Sequence, residues 1–274
     1  MKKIIFLLLV VVFFFSCEEN MPVIPLPPPI DSDRVVLVEE FTGVGCVQCP
    51  QGSVELENLL GIYGENLVVV SIHAGDFVNP LPQSNVNFKT DEGEALINYL
   101  GSPPFYPSAV VDRKDFDGGN YRLQTGRNNW VSFIDQELDE DPKILVNIAK
   151  TYDEVTRELT VEVTGIALED ITGELRMTIM ITESNIVDAQ LDDQAPTGIV
   201  LDYVHKHAFR TTMTNFDGEK FSDQMSEGEN YSFTKNMTIP EEWVAAECEI
   251  VAFVNLIDGE NKEVLQARST HMND

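Results

Sequence analysis

Two cysteines separated by two residues carry the clearest chemistry that the sequence offers. Cys46 and Cys49 stand between a predicted strand and a predicted helix. Unpaired amide groups and the positive end of the helix dipole stabilise a thiolate there, lowering its pKa from about 8.5 to within roughly 3.5–7.5. Cys46 is therefore the predicted attacking thiol and Cys49 the resolving thiol of a disulfide exchange. A structural disulfide is the alternative, since oxidising compartments preserve such bonds.

The segments around the cysteine pair follow a strand, helix, strand order. Apolar runs predict strands over residues 35–41 and 67–72, and the apolar periodicity of residues 54–63 predicts the helix that joins them. Two parallel strands joined by a helix are typical of an α/β domain, which we predict over residues 34–141. Its later elements are predicted as a helix over 91–100, a strand over 108–112 and a closing helix over 130–138.

His73 is a candidate substrate-binding residue because of its place after the second strand. It follows that strand at the sheet edge where open α/β sheets bind ligands, and Cys46 follows the first strand at the same edge. A histidine that only hydrogen-bonds the loop remains the plainer interpretation.

The segment around the cysteines resembles the active-site segment of thioredoxin-like proteins. Residues 38–50 read VEEFTGVGCVQCP, and the related proteins carry a buried carboxylate just before the Phe of that strand. Glu40 matches it, so the resemblance implies that Glu40 lies beneath the cysteines and exchanges a proton with Cys49. That task needs a carboxyl whose pKa is raised by burial. A solvent-facing Glu40 is the alternative.

Residues 106–111, which read YPSAVV, resemble a second signature of thioredoxin-like proteins. In that signature a cis-proline heads a strand beside the cysteine pair, and the preceding residue pairs with the substrate backbone. The resemblance implies a cis bond before Pro107 and a substrate-binding role for Tyr106. An ordinary proline-rich loop is the alternative, because Pro103 and Pro104 come just before.

Beyond Lys143 the pattern changes to apolar residues at every second position. Turn signals separate the segments, and an antiparallel sandwich of immunoglobulin-like type suits that many short strands. The predicted fold is therefore an α/β thioredoxin-like domain followed by an all-β immunoglobulin-like sandwich over residues 142–274. The seven predicted strands cover residues 143–150, 158–166, 174–184, 203–212, 231–239, 248–257 and 263–268.

Residues 1–16 have the basic start, apolar stretch and small final residue of a secretory signal peptide. Cys17 follows directly, in a segment that resembles a bacterial lipobox, and residues 17–33 form a proline-rich tether. We therefore expect lipidation at Cys17, with soluble secretion as the alternative. The membrane partner would be held through that lipid, because a net charge of −28 disfavours nucleic acid and anionic lipid headgroups.

No metal and no cofactor are predicted. His205 and His207 alternate on a predicted strand and would share a face with Asp202 nearby, but these side chains leave a coordination shell incomplete. A zinc site at the cysteine pair would need a second such pair. Cys248 is predicted as a small buried hydrophobe.

Four motifs stand in an order that extends the resemblance over nearly the whole mature chain: Phe41-Thr42-Gly43, Tyr106-Pro107-Ser108, Asp112-Arg113 and residues 204–210. The chain is similar to the twenty-eight-kilodalton outer-membrane protein family of Bacteroidetes, which implies an outer-membrane or surface lipoprotein and leaves the activity open. We interpret it as a binding lipoprotein with a redox-competent cysteine pair; the alternative is a periplasmic or surface thiol–disulfide oxidoreductase acting on protein thiols.

Overall fold

A computed structural model describes residues 34–116 and 123–273 of the chain. The predicted signal peptide, Cys17 and the proline-rich tether lie outside these described residues. Strands predominate over helices, and none of the described helices is long and apolar enough to cross a membrane.

The first region is a small sheet flanked by helices. Strands β1 and β2 are parallel and joined by α1, and β3 runs antiparallel on the other side of β1. All the predicted elements of this region are present, but α1 begins earlier than predicted, because Pro50 fits its first turn although the apolar periodicity starts only at Val54. The bounds are β1 Val36–Thr42, α1 Cys49–Tyr63, β2 Leu67–His73, α2 Asp91–Leu100, β3 Ser108–Val111 and α3 Arg127–Leu138.

The second region has ten strands where seven were predicted. The single strand expected over 203–212 is wrong: the backbone turns at His207, whose φ of 50° is not a strand conformation, and separates β8 from β9. β7 and β10 were not predicted. The bounds are β4 Asn147–Tyr152, β5 Glu158–Ile166, β6 Ile171–Glu183, β7 Ile186–Leu191, β8 Ile199–His205, β9 Ala208–Thr212, β10 Glu219–Met225, β11 Asn230–Thr238, β12 Cys248–Ile257 and β13 Val264–His271.

One sheet runs through both regions. Its order is β13-β12-β6-β9-β2-β1-β3, with β10 also paired to β6. The two halves meet where β9 lies parallel to β2, through the single residue pair Ser71 and Ala208. From the sequence, these strands were assigned to two successive domains, and a sheet shared between them was not predicted. The division at residue 141 stays a prediction.

Three apolar layers cover this sheet. Helices α1 and α3 pack on one face of β1, β2 and β3. On the other face, α2 packs against side chains from both regions, which share one core. The three-stranded sheet β11-β5-β4 packs on β6 and β12, so β12 is buried on both faces: Ile250 faces that sheet and Val251 faces the shared core. Cys248 is buried and unpaired there, as predicted.

Neighbouring carboxylates of β1 point to opposite faces of the sheet. Glu39 accepts two hydrogen bonds from the Arg113 guanidinium, at 2.7 and 2.8 Å, and that guanidinium lies over the Phe253 ring of the second region. Glu40 points the other way, because successive strand residues alternate between faces. The ion pair therefore fixes β1 from one side and leaves the face under α1 to Glu40.

Candidate functional site

Cys46 and Cys49 form a disulfide at the corner between β1 and α1. The S–S distance is 2.17 Å and the two Cα atoms are 5.4 Å apart. Cys46 lies in the connecting loop, and Cys49 is the first residue of the helix. Both are nearly covered, with 3% and 1% of their surfaces exposed, respectively. The bond and its position at the start of a helix agree with the sequence prediction.

Glu40 is fully buried, as the thioredoxin resemblance implied and in contrast to the solvent-facing alternative. It stands opposite Ser71 in the register of β1 and β2, and its Oε2 accepts a hydrogen bond of 2.9 Å from Ser71 Oγ. Oε1 has no hydrogen-bond partner among the described residues. Burial raises the pKa of this carboxyl from 4.5 to about 7, opposed by the Ser71 hydrogen bond and the charge of His207. Glu40 can therefore gain or lose a proton near neutral pH.

The bond between Tyr106 and Pro107 is cis, as the second signature implied. Pro107 and Glu40 converge on Gly52, three residues after Cys49 on the same helix. A Cβ atom at Gly52 would lie 2.8 Å from both Glu40 Oε1 and Pro107 Cγ. Only glycine therefore lets α1 approach this closely. Sequence analysis missed Gly52, although a glycine within a helical pattern signals such an approach.

A groove of about 430 Å³ opens beside Cys46. We call its aromatic and proline side the front wall, formed by Asp76, Phe77, Pro103, Pro104, Phe105 and Tyr106. Phe77 and Phe105 are 40% and 45% exposed, which leaves apolar surface beside the sulfur atoms. Tyr106 lines the groove while its hydroxyl donates a hydrogen bond of 3.1 Å to the Ala74 carbonyl. The structure thus places Tyr106 beside the disulfide, and its substrate-binding role stays a prediction.

The opposite side of the cysteine loop is held by the hairpin of β7 and β8, which comes from the second region. We call its Gln190, Leu191, Asp193 and His205 the rear wall. Gln190 Nε2 donates hydrogen bonds to the carbonyl of Cys46 at 3.0 Å and to that of Gly43 at 3.3 Å.

The backbone of the hairpin adds two more hydrogen bonds. Leu191 N–H donates to the Val44 carbonyl at 2.9 Å, and Asp193 N–H donates to the Val47 carbonyl at 3.0 Å. Together with Gln190, these donors satisfy backbone acceptors around the disulfide. No local signal in the sequence connected residues 190–193 with the cysteines.

His73 lies behind the disulfide and does not line the groove. Its ring is 4% exposed, stacks on Phe88 at 4.4 Å between centroids and meets the edge of His205 at 5.4 Å. Burial and the nearby His205 hold the pKa of His73 well below its usual 6.5, so the imidazole is neutral. The structure therefore separates His73 from Tyr106, with which the sequence grouped it.

His205 and His207 do not share a face. His205 is the last residue of β8 and is buried. His207 lies at the turn after β8, between two carboxylates: its Nε2 is 3.2 Å from Glu57 of α1, and its Nδ1 is 3.7 Å from Glu249 of β12. Burial lowers the pKa of His207, but hydrogen bonds to Glu249 and Glu57 prevail and raise it to about 9. Within residues 34–116 and 123–273, no group of three His, Cys, Asp or Glu side chains could hold a metal ion.

Comparison with solved structures supports the overall arrangement. HBP35 of Porphyromonas gingivalis is 19% identical with a TM-score of 0.69, over 89% of this chain and 77% of that one. A protein of Agrobacterium tumefaciens is 12% identical with a TM-score of 0.52, over 89% and 97% of the two chains. At these identities the likeness shows the fold alone. No curated protein is significantly similar to the chain.

A family model adds the classification. The model of outer membrane protein Omp28 matches residues 94–274, well over half of the chain, and the match begins after the cysteine pair. A domain of the outer membrane lipoprotein Omp28 from Porphyromonas gingivalis is 20% identical over 48% of this chain and 89% of its own, with a TM-score of 0.32. The chain belongs to the Omp28 family of outer membrane proteins.

Proposed function

We propose that this outer-membrane protein carries out thiol–disulfide exchange with other proteins through Cys46 and Cys49. In this proposal residues 34–141 are a thioredoxin-like domain, residues 142–274 are an immunoglobulin-like sandwich, and a lipid on Cys17 holds both to the membrane. The observation that carries the proposal is Glu40, a fully buried carboxyl next to the cysteine corner with a pKa of about 7.

A structural disulfide would not need this carboxyl. Burying an unpaired ionisable group destabilises a fold, so such groups are concentrated where a proton must move. Glu40 Oε1 lies against Pro107 and against Gly52, which is one helical turn beyond Cys49 in α1. This oxygen has no hydrogen-bond partner in the described residues. A proton acceptor in that place serves the step in which the Cys49 thiol becomes a nucleophile.

The groove gives a protein substrate a place to bind beside Cys46. A substrate disulfide in the groove would be attacked by the Cys46 thiolate, forming a mixed disulfide and releasing the first substrate thiolate. Cys49 would then lose its proton to Glu40 and attack Cys46 Sγ, which releases the second substrate thiolate and restores the Cys46–Cys49 bond. The exposed rings of Phe77 and Phe105 would contact apolar side chains of a protein substrate.

Binding without exchange is the second candidate. Only 3% of Cys46 is exposed in the oxidised form, and the rear wall anchors its loop. The same hairpin exposes apolar side chains at Val187, Leu201 and Val204, which are 56%, 62% and 44% exposed. A disulfide that only fastens this loop would leave the hairpin to present its apolar face to a partner.

Two measurements distinguish the two candidates: the reduction potential of the cysteine pair, and the reduction of insulin by the purified protein with a small dithiol supplied as the reductant, compared with the dithiol alone. For the exchange function we expect a potential above about −300 mV and turnover of insulin. A lower potential without turnover would leave the binding function.

The variant Glu40→Gln tests whether the buried Glu40 carboxyl accepts the proton of Cys49. The wild-type rate at which Cys49 resolves a mixed disulfide should rise with pH through about 7, because only the carboxylate accepts the proton. Glu40→Gln should remove that rise. The matched control is Glu65→Gln, an exposed carboxyl beyond the end of α1, which should leave the pH profile unchanged. An unaltered profile in Glu40→Gln would contradict the role of Glu40.

A further inference from the structure

Behind Cys49 lies a small polar cavity that the proposed reaction has not used. Its volume is about 10 Å³, and its lining includes Cys49, Ser71, His73 and His205. A cavity of this size has room for a single water, provided that the water finds two to four polar partners. The two histidines come from different regions of the chain, so the cavity forms only where the hairpin meets the first sheet.

Both imidazoles are left with a ring nitrogen that needs a donor. The backbone of Ser71 hydrogen-bonds His73, and the backbone of Ala189 hydrogen-bonds His205. The remaining atoms, His73 Nδ1 and His205 Nε2, are buried and have no hydrogen-bond partner in the described residues. Burial holds the pKa of His205 at about 4 and that of His73 well below 6.5, so both nitrogens carry a free lone pair at neutral pH.

Ser71 connects the cavity to Glu40. Its side chain lines the cavity and its hydroxyl already donates to Glu40 Oε2 at 2.9 Å, which leaves the oxygen lone pairs available to accept. A water in the cavity could therefore donate to Ser71 Oγ and to one imidazole nitrogen, and accept from the Cys49 thiol. The result would be an unbroken line of hydrogen bonds from Cys49 to the buried carboxyl.

We propose that the cavity binds one water and that this water and Ser71 carry the proton of Cys49 to Glu40, with His205 holding the water in place. The inference rests on the proposed exchange function, and it assigns a proton-relay role to Ser71 of the first region and a positioning role to His205 of the second. Ser71 and His205 act through the water and do not contact the substrate.

The step balances. In the mixed disulfide, the Cys49 thiol gives its proton to the water, the water gives one to Ser71 Oγ, and Ser71 gives its hydroxyl proton to Glu40 Oε2. The Cys49 thiolate attacks Cys46 Sγ, so the Cys46–Cys49 bond forms and the bond from Cys46 to the substrate breaks. The electron pair leaves with the substrate sulfur, and the substrate disulfide has gained the two electrons that the cysteine pair lost.

Ser71→Ala is the central test. Reduced protein is mixed with a chromogenic aryl disulfide, and the second release of aryl thiolate reports the attack by Cys49 across the pH range. We expect Ser71→Ala to slow that release by about tenfold or more at pH 8 and to abolish its rise near pH 7, as general acid–base contributions of this kind predict. Ser71→Thr keeps the hydroxyl and should restore both.

His205 is tested by a matched pair of variants. His205→Leu removes the acceptor and should slow the second release, whereas His205→Gln supplies an amide oxygen and should preserve most of the rate. Other titratable groups around Glu40 are His207 and Tyr203, and Lys206 lines the cavity, so the pH profile of His207→Gln is recorded as a reference.

The outcomes separate the inference from the function on which it rests. If Ser71→Ala and His205→Leu keep the wild-type profile while Glu40→Gln loses it, the proton passes directly from Cys49 to Glu40 and the water path is wrong. Should Glu40→Gln also keep the profile, the role of Glu40 fails as well. If Ser71→Ala does not fold, the comparison of His205→Leu with His205→Gln decides.

Discussion

The front wall and the rear wall lie on opposite sides of the same disulfide loop and differ in polarity and in exposure. The front wall is partly exposed and mostly apolar, and its two phenylalanine rings are open to solvent. The rear wall is polar, and its Gln190 is 2% exposed and donates to two carbonyls of the cysteine loop. The front wall therefore has exposed surface that another molecule can contact, whereas the polar groups of the rear wall are already hydrogen-bonded to the loop.

The difference shows how one side of a disulfide loop can be accessible while its other side is held in place. Apolar surface at the groove gains free energy when another chain covers it, so an exposed front wall favours transient binding. Buried hydrogen bonds at the rear keep the loop in one conformation, because breaking them removes donors from its carbonyls; the Val44 carbonyl, for example, would lose the Leu191 N–H. The second region thus contributes to the site by holding the loop.

The pH dependence of the free energy of unfolding tests the interactions of His207, which follows the rear hairpin and lies between Glu57 and Glu249. Because the pKa of His207 is raised from 6.5 to about 9, its interactions stabilise the fold fully below pH 6.5, and this stability is lost as the pH rises through about 9. The contribution is as much as about 3 kcal/mol. Chemical unfolding between pH 6 and 10 should show a loss that His207→Gln lacks. The control is His271→Gln, whose imidazole is mostly exposed; an equal effect there would contradict the assignment.

Gln190→Leu should lower the free energy of unfolding by about 2 kcal/mol, because it removes the side-chain donor that two buried carbonyls of the cysteine loop share. Urea unfolding of the oxidised protein measures this. Gln194→Leu is the matched control, because Gln194 is exposed in the following turn. Equal stabilities of the two variants would show that the rear wall does not hold the loop.

Gly52→Ala should destabilise the fold by about 1.5 kcal/mol, because the added methyl meets Glu40 and Pro107 at 2.8 Å. It should also slow the Cys49 step, since Glu40 must shift. Gly61→Ala on the same helix has nothing within 4 Å of the new atom and should stabilise by about 0.5–1 kcal/mol. Thermal unfolding of both variants gives the sign, and a stable Gly52→Ala would refute the close approach.

Phe105→Ala at the front wall should change stability by less than about 0.5 kcal/mol, because the ring is 45% exposed. It should raise the KM for insulin reduction several-fold and leave the exchange with a small aryl disulfide unchanged. Val155→Ala, 93% exposed and on a distant turn, is the control. A large loss of stability in Phe105→Ala would remove the contrast between the two walls.

The front of the site could be predicted because its parts are close in sequence or follow strands of one small sheet. A Cys-X-X-Cys pair between a strand and a helix, a carboxylate on that strand and a proline at the head of β3 all have local signals. The burial of Glu40 followed from resemblance, and its place opposite Ser71 needed the register of β1 and β2. Partners of the chain remain a proposal.

The rear of the site had no such signal. Gln190 and His205 are ordinary residues in short strands, and one of those strands was predicted as part of a longer one. Their role depends on β9 pairing with β2 and on the bend at His207, which directs the hairpin towards the cysteine loop. Periodicity reports which side of a strand is apolar, but it does not report which edge another strand will join.

The sequence by itself therefore determined most of the elements and the position of the cysteine pair, because strand, helix and cysteine signals act over a few residues. The tertiary structure alone decided that one sheet joins both regions and that His73 faces a cavity instead of the groove. It also decided that Gln190, 144 positions after Cys46, holds the loop that carries Cys46. Contacts between residues so far apart are set by long-range packing, which leaves no periodic trace in the chain.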